Sequence, residues 1–253
     1  MNRIKTKLKE NKRILSIYFS AGFPNLNDTK SLIENLANNG VEMIEIGLPF
    51  SDPLADGPII QASSTQALKN GMTSILLFEQ LKDIRKTVSI PLIIMGYFNP
   101  ILQFGVENFL KECQQTGIDG LIIPDLPLEI YLSQYKQLFK SYDVEMVFLI
   151  TPQTSSERIR LIDDISNAFI YMVSSAGVTG SRNSFDESQM TYFKRIASMN
   201  LKNPQIIGFG ISNKITFQQA TEYQKGAIIG SSFIQFIGNN KISDIPKFIQ
   251  NIL

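Results

Sequence analysis

The most promising chemistry in this 253-residue chain is a carboxyl group inside an apolar run. Glu45 lies in the segment VEMIEIG, where residue alternation along a strand would place it on one face with Met43 and Gly47. If that face is buried, desolvation raises the pKa of the carboxyl toward neutrality, and a Glu can then act as an acid or a base at pH 7. The same pattern also fits a Glu at a strand end that is solvated or paired with Lys or Arg, and the spacing does not decide between the two.

Two more carboxyl groups follow in the segment GLPFSDPLADGP, at Asp52 and Asp56. Of these two, Asp56 is the catalytic candidate. Asp before Pro or Gly is also ordinary turn chemistry, so the segment alone does not make Asp56 catalytic. Pro58 is typical of the first position of a helix, which predicts that a helix begins directly after this loop.

Glycine-rich segments near the C-terminus predict a phosphate site. GFGIS, at residues 208–212, and IIGSSF, at residues 228–233, each follow an apolar run. Glycines let backbone N–H groups approach a ligand, and a helix N-terminus favours an anion. The alternative is that these glycines only serve tight turns. No P-loop lysine motif is present, which favours a small phosphorylated metabolite over a nucleotide.

The composition excludes several kinds of site. The chain has no His, no Trp and a single Cys, so His-dependent nucleophilic triads, His-ligated zinc and internal disulfides are excluded. Cys113 fits the apolar face of a helix. A net charge of +1 argues against a nucleic-acid surface. No apolar run reaches the length of a membrane span, and the basic start lacks a cleavage pattern, so we expect a cytoplasmic protein.

The elements that must position these groups alternate along the whole chain. Eight short apolar runs read as buried strands and are separated by amphipathic helical patterns; they begin at Ile14, Val41, Pro91, Asp119, Val144, Ala168, Pro204 and Gly226. This pattern predicts an α/β fold, a single (β/α)₈ TIM barrel with extra short helices, as one domain over residues 1–253. An open doubly wound sheet is the alternative, but no GxGxxG follows the first strand.

Two connections are unusually long, and both follow strands. They come after the second strand and after the sixth, where AGVTGSRNSF is rich in Gly and Ser. Barrel chemistry lies in the loops after the strands, so these connections are the best functional candidates. Among the helices, Asn27 or Asp28 and Thr73 are predicted N-caps, and the pairs Thr154 with Glu157 and Ser184 with Glu187 have capping-box spacing.

Taken together, the motifs resemble the α subunit of tryptophan synthase over essentially the whole chain. The resemblance rests on EIGLPFSDPLADGP, on AGVTG at residues 176–180, on GFGIS and on the GS of IIGSS, in this order. It implies a TIM-barrel lyase that splits indole-3-glycerol phosphate into indole and glyceraldehyde 3-phosphate without a metal or an organic cofactor. It also implies an α2β2 complex, in which indole passes to a pyridoxal-phosphate β subunit.

The resemblance also implies roles for individual residues. Glu45 matches the general acid/base, and Asp56 matches the residue that binds and polarises the indole N–H. The phosphate-binding positions correspond to Gly180, Phe209, Gly210, Gly230 and Ser231. The substrate pocket and the loop that closes on it correspond to Tyr18, Tyr97, Leu149, Tyr171 and Thr179.

Two other functions remain open at this point. One is a different phosphate-binding barrel of tryptophan or histidine biosynthesis, such as indole-3-glycerol-phosphate synthase. That family relies on strand-borne Lys, and the predicted strand cores contain none. The other is a non-catalytic activator of the β subunit. The presence of both carboxyl groups counts against it, because a degenerate enzyme usually loses an acid or a base.

Overall fold

The chain folds into a closed barrel of parallel strands. The computed structural model describes residues 2–53, 56–174 and 184–253. In this part of the chain, eight strands pair in sequence order and β8 closes on β1. They are β1 (Ile14–Ser20), β2 (Met43–Gly47), β3 (Leu92–Met95), β4 (Gly120–Ile122), β5 (Glu145–Ile150), β6 (Ile170–Val173), β7 (Gln205–Gly208) and β8 (Gly226–Ile229). All eight predicted strands are therefore confirmed, and the open sheet is excluded.

Helices follow the strands and surround the barrel. The described α-helices are α1 (Arg3–Leu8), α2 (Thr29–Asn38), α3 (Pro58–Lys69), α4 (Ser74–Leu81), α5 (Phe98–Phe104), α6 (Val106–Thr116), α7 (Leu128–Ile130), α8 (Lys136–Ser141), α9 (Ser156–Ile165), α10 (Glu187–Ser198), α11 (Lys214–Tyr223), α12 (Ser231–Asn239) and α13 (Ile245–Gln250). A π-helical turn, Tyr131–Tyr135, joins α7 to α8, and 3₁₀ turns cover Ile84–Lys86 and Ile242–Asp244. The long connection after β2 holds two helices, α3 and α4, which accounts for the predicted insertion. Within the described ranges, none of the helices is long and apolar enough to cross a membrane.

Residue alternation divides the buried side chains into two clusters. The larger cluster lies between the barrel and its helices and includes Ile17 and Ile44. The smaller one fills the barrel interior with side chains such as Tyr18, Met43 and Tyr171. Ile4 of α1 joins this interior cluster and is fully buried. The interior is therefore a packed core, and in this fold the chemistry lies at the carboxyl ends of the strands.

Several helix starts differ from their predicted caps. Thr73 caps α4 as predicted, through a hydrogen bond from the Leu76 N–H, and Asp28 precedes α2 without a side-chain cap. The predictions of Thr154 and Ser184 as caps were wrong. Ser155 caps α9, and Asp186 forms the capping box of α10 with Gln189. In the first case the Thr154 hydroxyl instead accepts a hydrogen bond from the Thr151 N–H.

Candidate active site

The Glu45 side chain points into the barrel interior, so of its two predicted environments the buried one is observed. It is fully buried on β2, directly opposite Tyr18 of β1 in the strand register. The Ser16 hydroxyl donates to Oε1 of Glu45 at 3.2 Å, and Oε2 has no hydrogen-bond partner among the described residues. Burial raises the pKa of Glu45 to about 8, against the smaller opposing effect of the Ser16 hydrogen bond. Among the described residues no basic side chain pairs with this carboxyl, so the solvated or ion-paired alternative is not what the structure shows.

Asp56 lies half-buried in the loop between β2 and α3. The Tyr97 hydroxyl donates to Oδ2 of Asp56 at 3.3 Å. Burial raises the pKa of Asp56 to about 6, and the Tyr97 hydrogen bond opposes this shift. The pKa of Asp56 still lies below 7 and below the pKa of Glu45, so at pH 7 Asp56 is ionised while Glu45 keeps its proton.

Two tyrosines cross over glycines on neighbouring strands. The Tyr18 hydroxyl lies 2.2 Å from where a Cβ of Gly47 would stand, and the Tyr171 hydroxyl lies 2.0 Å from the corresponding position at Gly208. No larger residue fits at either glycine while the tyrosine keeps this position. Burial raises the pKa of both tyrosines, and the charges of Glu45 and Asp56 raise it further. Both hydroxyls are therefore neutral hydrogen-bonding groups at the same end of the barrel as the carboxyl groups.

The carboxyl groups and tyrosines form one wall of the site, and the glycine segments after β7 and β8 form the other. Phe209 and Gly210 both have left-handed backbone, with φ of 71° and 78°. This conformation is uncommon for a bulky residue and often marks a functional loop. The Ser174 hydroxyl donates to the Phe209 carbonyl at 2.7 Å and supports the turn. Gly230 is the N-cap of α12, so the first free N–H groups of that helix face the space after β8.

One cavity joins these two walls. The predicted residues that line it are Tyr18, Asp56, Tyr171, Phe209, Gly210, Gly230 and Ser231. Tyr97 lines a smaller adjoining cavity, together with Tyr18 and Asp56. Glu45 is not among the described residues that line either cavity; it lies next to them, behind its strand neighbour Tyr18. The structure thus brings most of the predicted residues together around one space.

Three predicted residues are placed differently or not at all. Leu149 packs against the interior cluster but lines a separate cavity beside β4 and β5. Thr179 and Gly180 lie outside the described residues. Sequence reasoning missed Ser16, although the alternation of Ser16, Tyr18 and Ser20 along β1 would have placed all three on the face that carries Glu45. It also missed Ser232 and Gln235 of α12, which line the main cavity.

No metal chemistry is suggested by the described side chains. In the ranges that the structure covers, no group of three or more His, Cys, Asp or Glu side chains is arranged to hold an ion. Cys113 is fully buried on α6, in the core between barrel and helices. Burial raises the pKa of its thiol well above the ordinary value, so it is not a reactive thiolate.

The closed parallel barrel, with its polar groups gathered at the carboxyl ends of the strands, makes this chain a (β/α)₈-barrel enzyme. The family model described as "Tryptophan synthase alpha chain" matches residues 4–251. The chain belongs to this family, which consists of lyases that cleave indole-3-glycerol phosphate in tryptophan biosynthesis.

Individual relatives agree with the family assignment over the whole length. The tryptophan synthase alpha chain of Flavobacterium psychrophilum is 71% identical over 252 residues and that of Flavobacterium johnsoniae 66%, with 100% of both chains covered in each comparison. The crystal structure of tryptophan synthase subunit alpha from Legionella pneumophila is similar with a TM-score of 0.89. It is 29% identical, and the comparison covers 100% of this chain and 97% of that one.

Proposed function

We propose that Glu45 and Asp56 carry out the cleavage of indole-3-glycerol phosphate in this chain, which acts as one domain. The proposal rests on one observation: a single cavity extends from Asp56 to the glycine-lined N-terminus of α12. Such a cavity suits a substrate with a hydrogen-bond donor at one end and a phosphate at the other. The separation of the two carboxyl pKa values supports a division of roles between an acid and an anion.

The proposed reaction breaks a carbon–carbon bond by protonating the indole ring. The Asp56 carboxylate accepts the indole N1–H and pushes electron density toward C3. A neutral Glu45 donates its proton to C3, and the resulting carboxylate then accepts the proton of the glycerol hydroxyl next to the breaking bond. The bonding electrons return to the indole ring and the hydroxyl carbon becomes the aldehyde. At pH 7, a pKa of about 8 keeps Glu45 protonated and a pKa of about 6 leaves Asp56 ionised.

The phosphate is proposed to bind at the ends of β7 and β8. Gly210, Gly230 and Ser231 offer backbone N–H groups, and the N-terminus of α12 adds its dipole. Gly180 and Thr179 are proposed to contribute from the connection after β6, as the family resemblance implies. Tyr18, Tyr97 and Tyr171 would contact the indole and glycerol parts of the substrate, and a pocket role for Leu149 rests on the family resemblance alone. No metal or organic cofactor takes part in this mechanism.

Replacing Asp56 tests the proposal directly. Asp56→Asn keeps the size of the side chain but removes the anion that accepts the indole N–H, so we expect indole release to fall by about 10²- to 10³-fold. Indole released from indole-3-glycerol phosphate is measured across pH 5–9. The wild-type kcat/KM should be bell-shaped, with limbs near the two carboxyl pKa values, and the ascending limb should disappear in the variant.

Asp52→Asn is the matched control. Asp52 lies in the same loop but is exposed and lines neither cavity, so its rate and pH profile should match the wild type. If Asp56→Asn stays within a few-fold of wild type, the proposed role of Asp56 is wrong.

The proposed partner is the β subunit of tryptophan synthase, in an α2β2 complex that receives the indole. Titrating purified β subunit into the assay should raise the rate of indole production above that of the chain alone. A Glu45→Gln chain that still activates the β subunit with unchanged indole release would instead make this chain a non-catalytic activator. Turnover of a different phosphorylated pathway intermediate, and not of indole-3-glycerol phosphate, would favour the other barrel family. The eight described strands contain no Lys that such a barrel synthase would use.

A further inference from the structure

The interior face of β1 carries three hydroxyl side chains, and each has a different environment. Ser16, Tyr18 and Ser20 alternate along this face. The Tyr18 hydroxyl lies over Gly47 and lines the main cavity, whereas the Ser20 hydroxyl shares a 2.7 Å hydrogen bond with Ser63 of α3. Ser16 is the one of the three that binds the carboxyl of Glu45, at Oε1. The contact is fully buried on both sides, because Ser16 and Glu45 are each 0% exposed.

The two oxygens of Glu45 are therefore not equivalent. Oε1 accepts the Ser16 hydrogen, while Oε2 is buried without a hydrogen-bond partner in the described part of the chain. A buried carboxylate oxygen without a partner is costly, and adding a proton to that oxygen relieves the cost. Since the Ser16 hydroxyl already directs its hydrogen to Oε1, the proton of the neutral carboxyl belongs on Oε2.

We infer that Ser16 is a positioning residue for Glu45, holding Oε1 so that Oε2 carries the proton that is exchanged during the reaction. The inference rests on the proposed role of Glu45 as the acid and base. Ser16 itself does not touch the substrate space: it lines neither the main cavity nor the adjoining one. Its effect on the reaction must therefore pass through Glu45, which distinguishes it from Tyr18 and Tyr171.

The other groups around Glu45 do not duplicate this contact. The titratable groups that interact with it are Tyr18 on β1 and Tyr171 on β6, and its register partner on β3 is the apolar Ile93. Burial and the Ser16 hydrogen bond are the causes of the shifted pKa of Glu45. Both tyrosines stay neutral because their own pKa values are raised. Losing the Ser16 hydroxyl therefore removes a stabilising contact that no neighbouring cation replaces.

The test compares Ser16→Ala with a buried serine elsewhere. Without its hydrogen bond the Glu45 carboxylate is less stable, so the pKa of Glu45 should rise by about one pH unit. The limb of the kcat profile that belongs to Glu45 should move upward by the same amount. We expect kcat at pH 7 to fall about tenfold with little change in KM, because orientation is lost while binding is not. Ser16→Thr, which restores a hydroxyl, should recover the wild-type profile.

Ser166→Ala is the control. Ser166 is also buried but lies at the end of α9, remote in the chain from Glu45, and its hydroxyl has no hydrogen-bond partner among the described residues. It should leave the pH profile in place. If Ser16→Ala does not fold, Ser16→Cys keeps the shape with a weak donor and should give a smaller shift in the same direction.

A spectroscopic titration separates this inference from the proposed function. The infrared carboxyl band of Glu45, identified by subtracting the Glu45→Gln spectrum, reports its protonation without any turnover. A band that titrates at higher pH in Ser16→Ala supports the inference even if the chain fails to cleave indole-3-glycerol phosphate, which would overturn only the proposed function. An unchanged band, or an equal shift in Ser166→Ala, overturns the role of Ser16.

Discussion

Two buried carboxyl groups lie at opposite ends of the barrel, and their surroundings differ in kind. Asp119 precedes β4 at the amino end of the strands and is 2% exposed. It accepts hydrogen bonds from Arg85 at 2.6 Å and from Arg3 at 3.1 Å, and the backbone N–H of Leu92 donates to it at 3.0 Å. Both of its oxygens are therefore occupied, and the ion pair ties α1 and the segment before β3 to the barrel floor.

Glu45 has no such partners, although it is at least as deeply buried. Within the described ranges its only hydrogen bond comes from the neutral Ser16 hydroxyl, and burial raises its pKa to about 8. A carboxyl group in an apolar interior without an ionic partner keeps its proton to higher pH. The fold thus pairs Asp119 where α1 and the segment before β3 meet the barrel, and leaves Glu45 under-paired where we propose that a proton is moved.

The largest expected difference between the two carboxyl groups is in their effect on activity. Glu45→Gln keeps the shape and the Ser16 contact but removes the exchangeable proton. We expect the rate of indole release to fall by about 10³-fold while substrate binding is largely kept. Steady-state assays with and without β subunit give the rate, and binding of a non-cleavable substrate analogue gives the affinity. A variant of near wild-type rate would remove the distinction between the two carboxyl groups.

The next effect is a loss of protein stability when the Asp119 ion pair at the amino end of the barrel strands is broken. Asp119→Asn leaves Arg85 buried without its anion, and desolvation already lowers the pKa of that guanidinium to about 10. Breaking a buried pair from one side costs about 3 kcal/mol, so the urea midpoint should fall clearly. The rate per folded molecule should stay at the wild-type level. Asp83→Asn, which removes an exposed i,i+3 pair with Lys86, should leave the midpoint unchanged. An equal fall of the urea midpoint in both variants would contradict the stabilising role of the buried ion pair between Asp119 and Arg85.

The smallest effect is the pH dependence that Glu45 gives to stability. Its pKa is about 8 in the folded protein against an ordinary value of 4.5. The folded state therefore holds a proton that the unfolded state has released, and stability contributed by this group is lost as pH rises from about 4.5 to about 8. Relative to wild type, Glu45→Gln should be equally stable near pH 4 and clearly more stable at pH 8. Urea unfolding at both pH values measures the difference, which should not grow with pH if Glu45 is paired as Asp119 is.

Local patterns predicted the elements well and the helix ends less well. The eight strands and the insertion after β2 follow from apolar runs and their spacing, because a buried parallel strand needs such a run whatever its neighbours are. The caps of α9 and α10 were misplaced by one and two residues. Several Ser, Thr and Asp side chains are available at each of these helix starts, and loop packing selects one: Thr154 is occupied by Thr151, which leaves the cap to Ser155.

The sequence by itself determined the barrel, the polar segments at its carboxyl ends and the resemblance that identifies the family. These depend on residue types and short spacings, which the chain carries in any conformation. Only the tertiary structure decided the protonation and pairing of Glu45. Residue alternation predicts the strand face on which Glu45 lies, but it does not predict which side chains surround the carboxyl. Whether a carboxyl is solvated, paired or left with one serine hydroxyl depends on residues from other strands, and Ser16 lies 29 positions away. The desolvation that sets its pKa exists only once the barrel has closed around it.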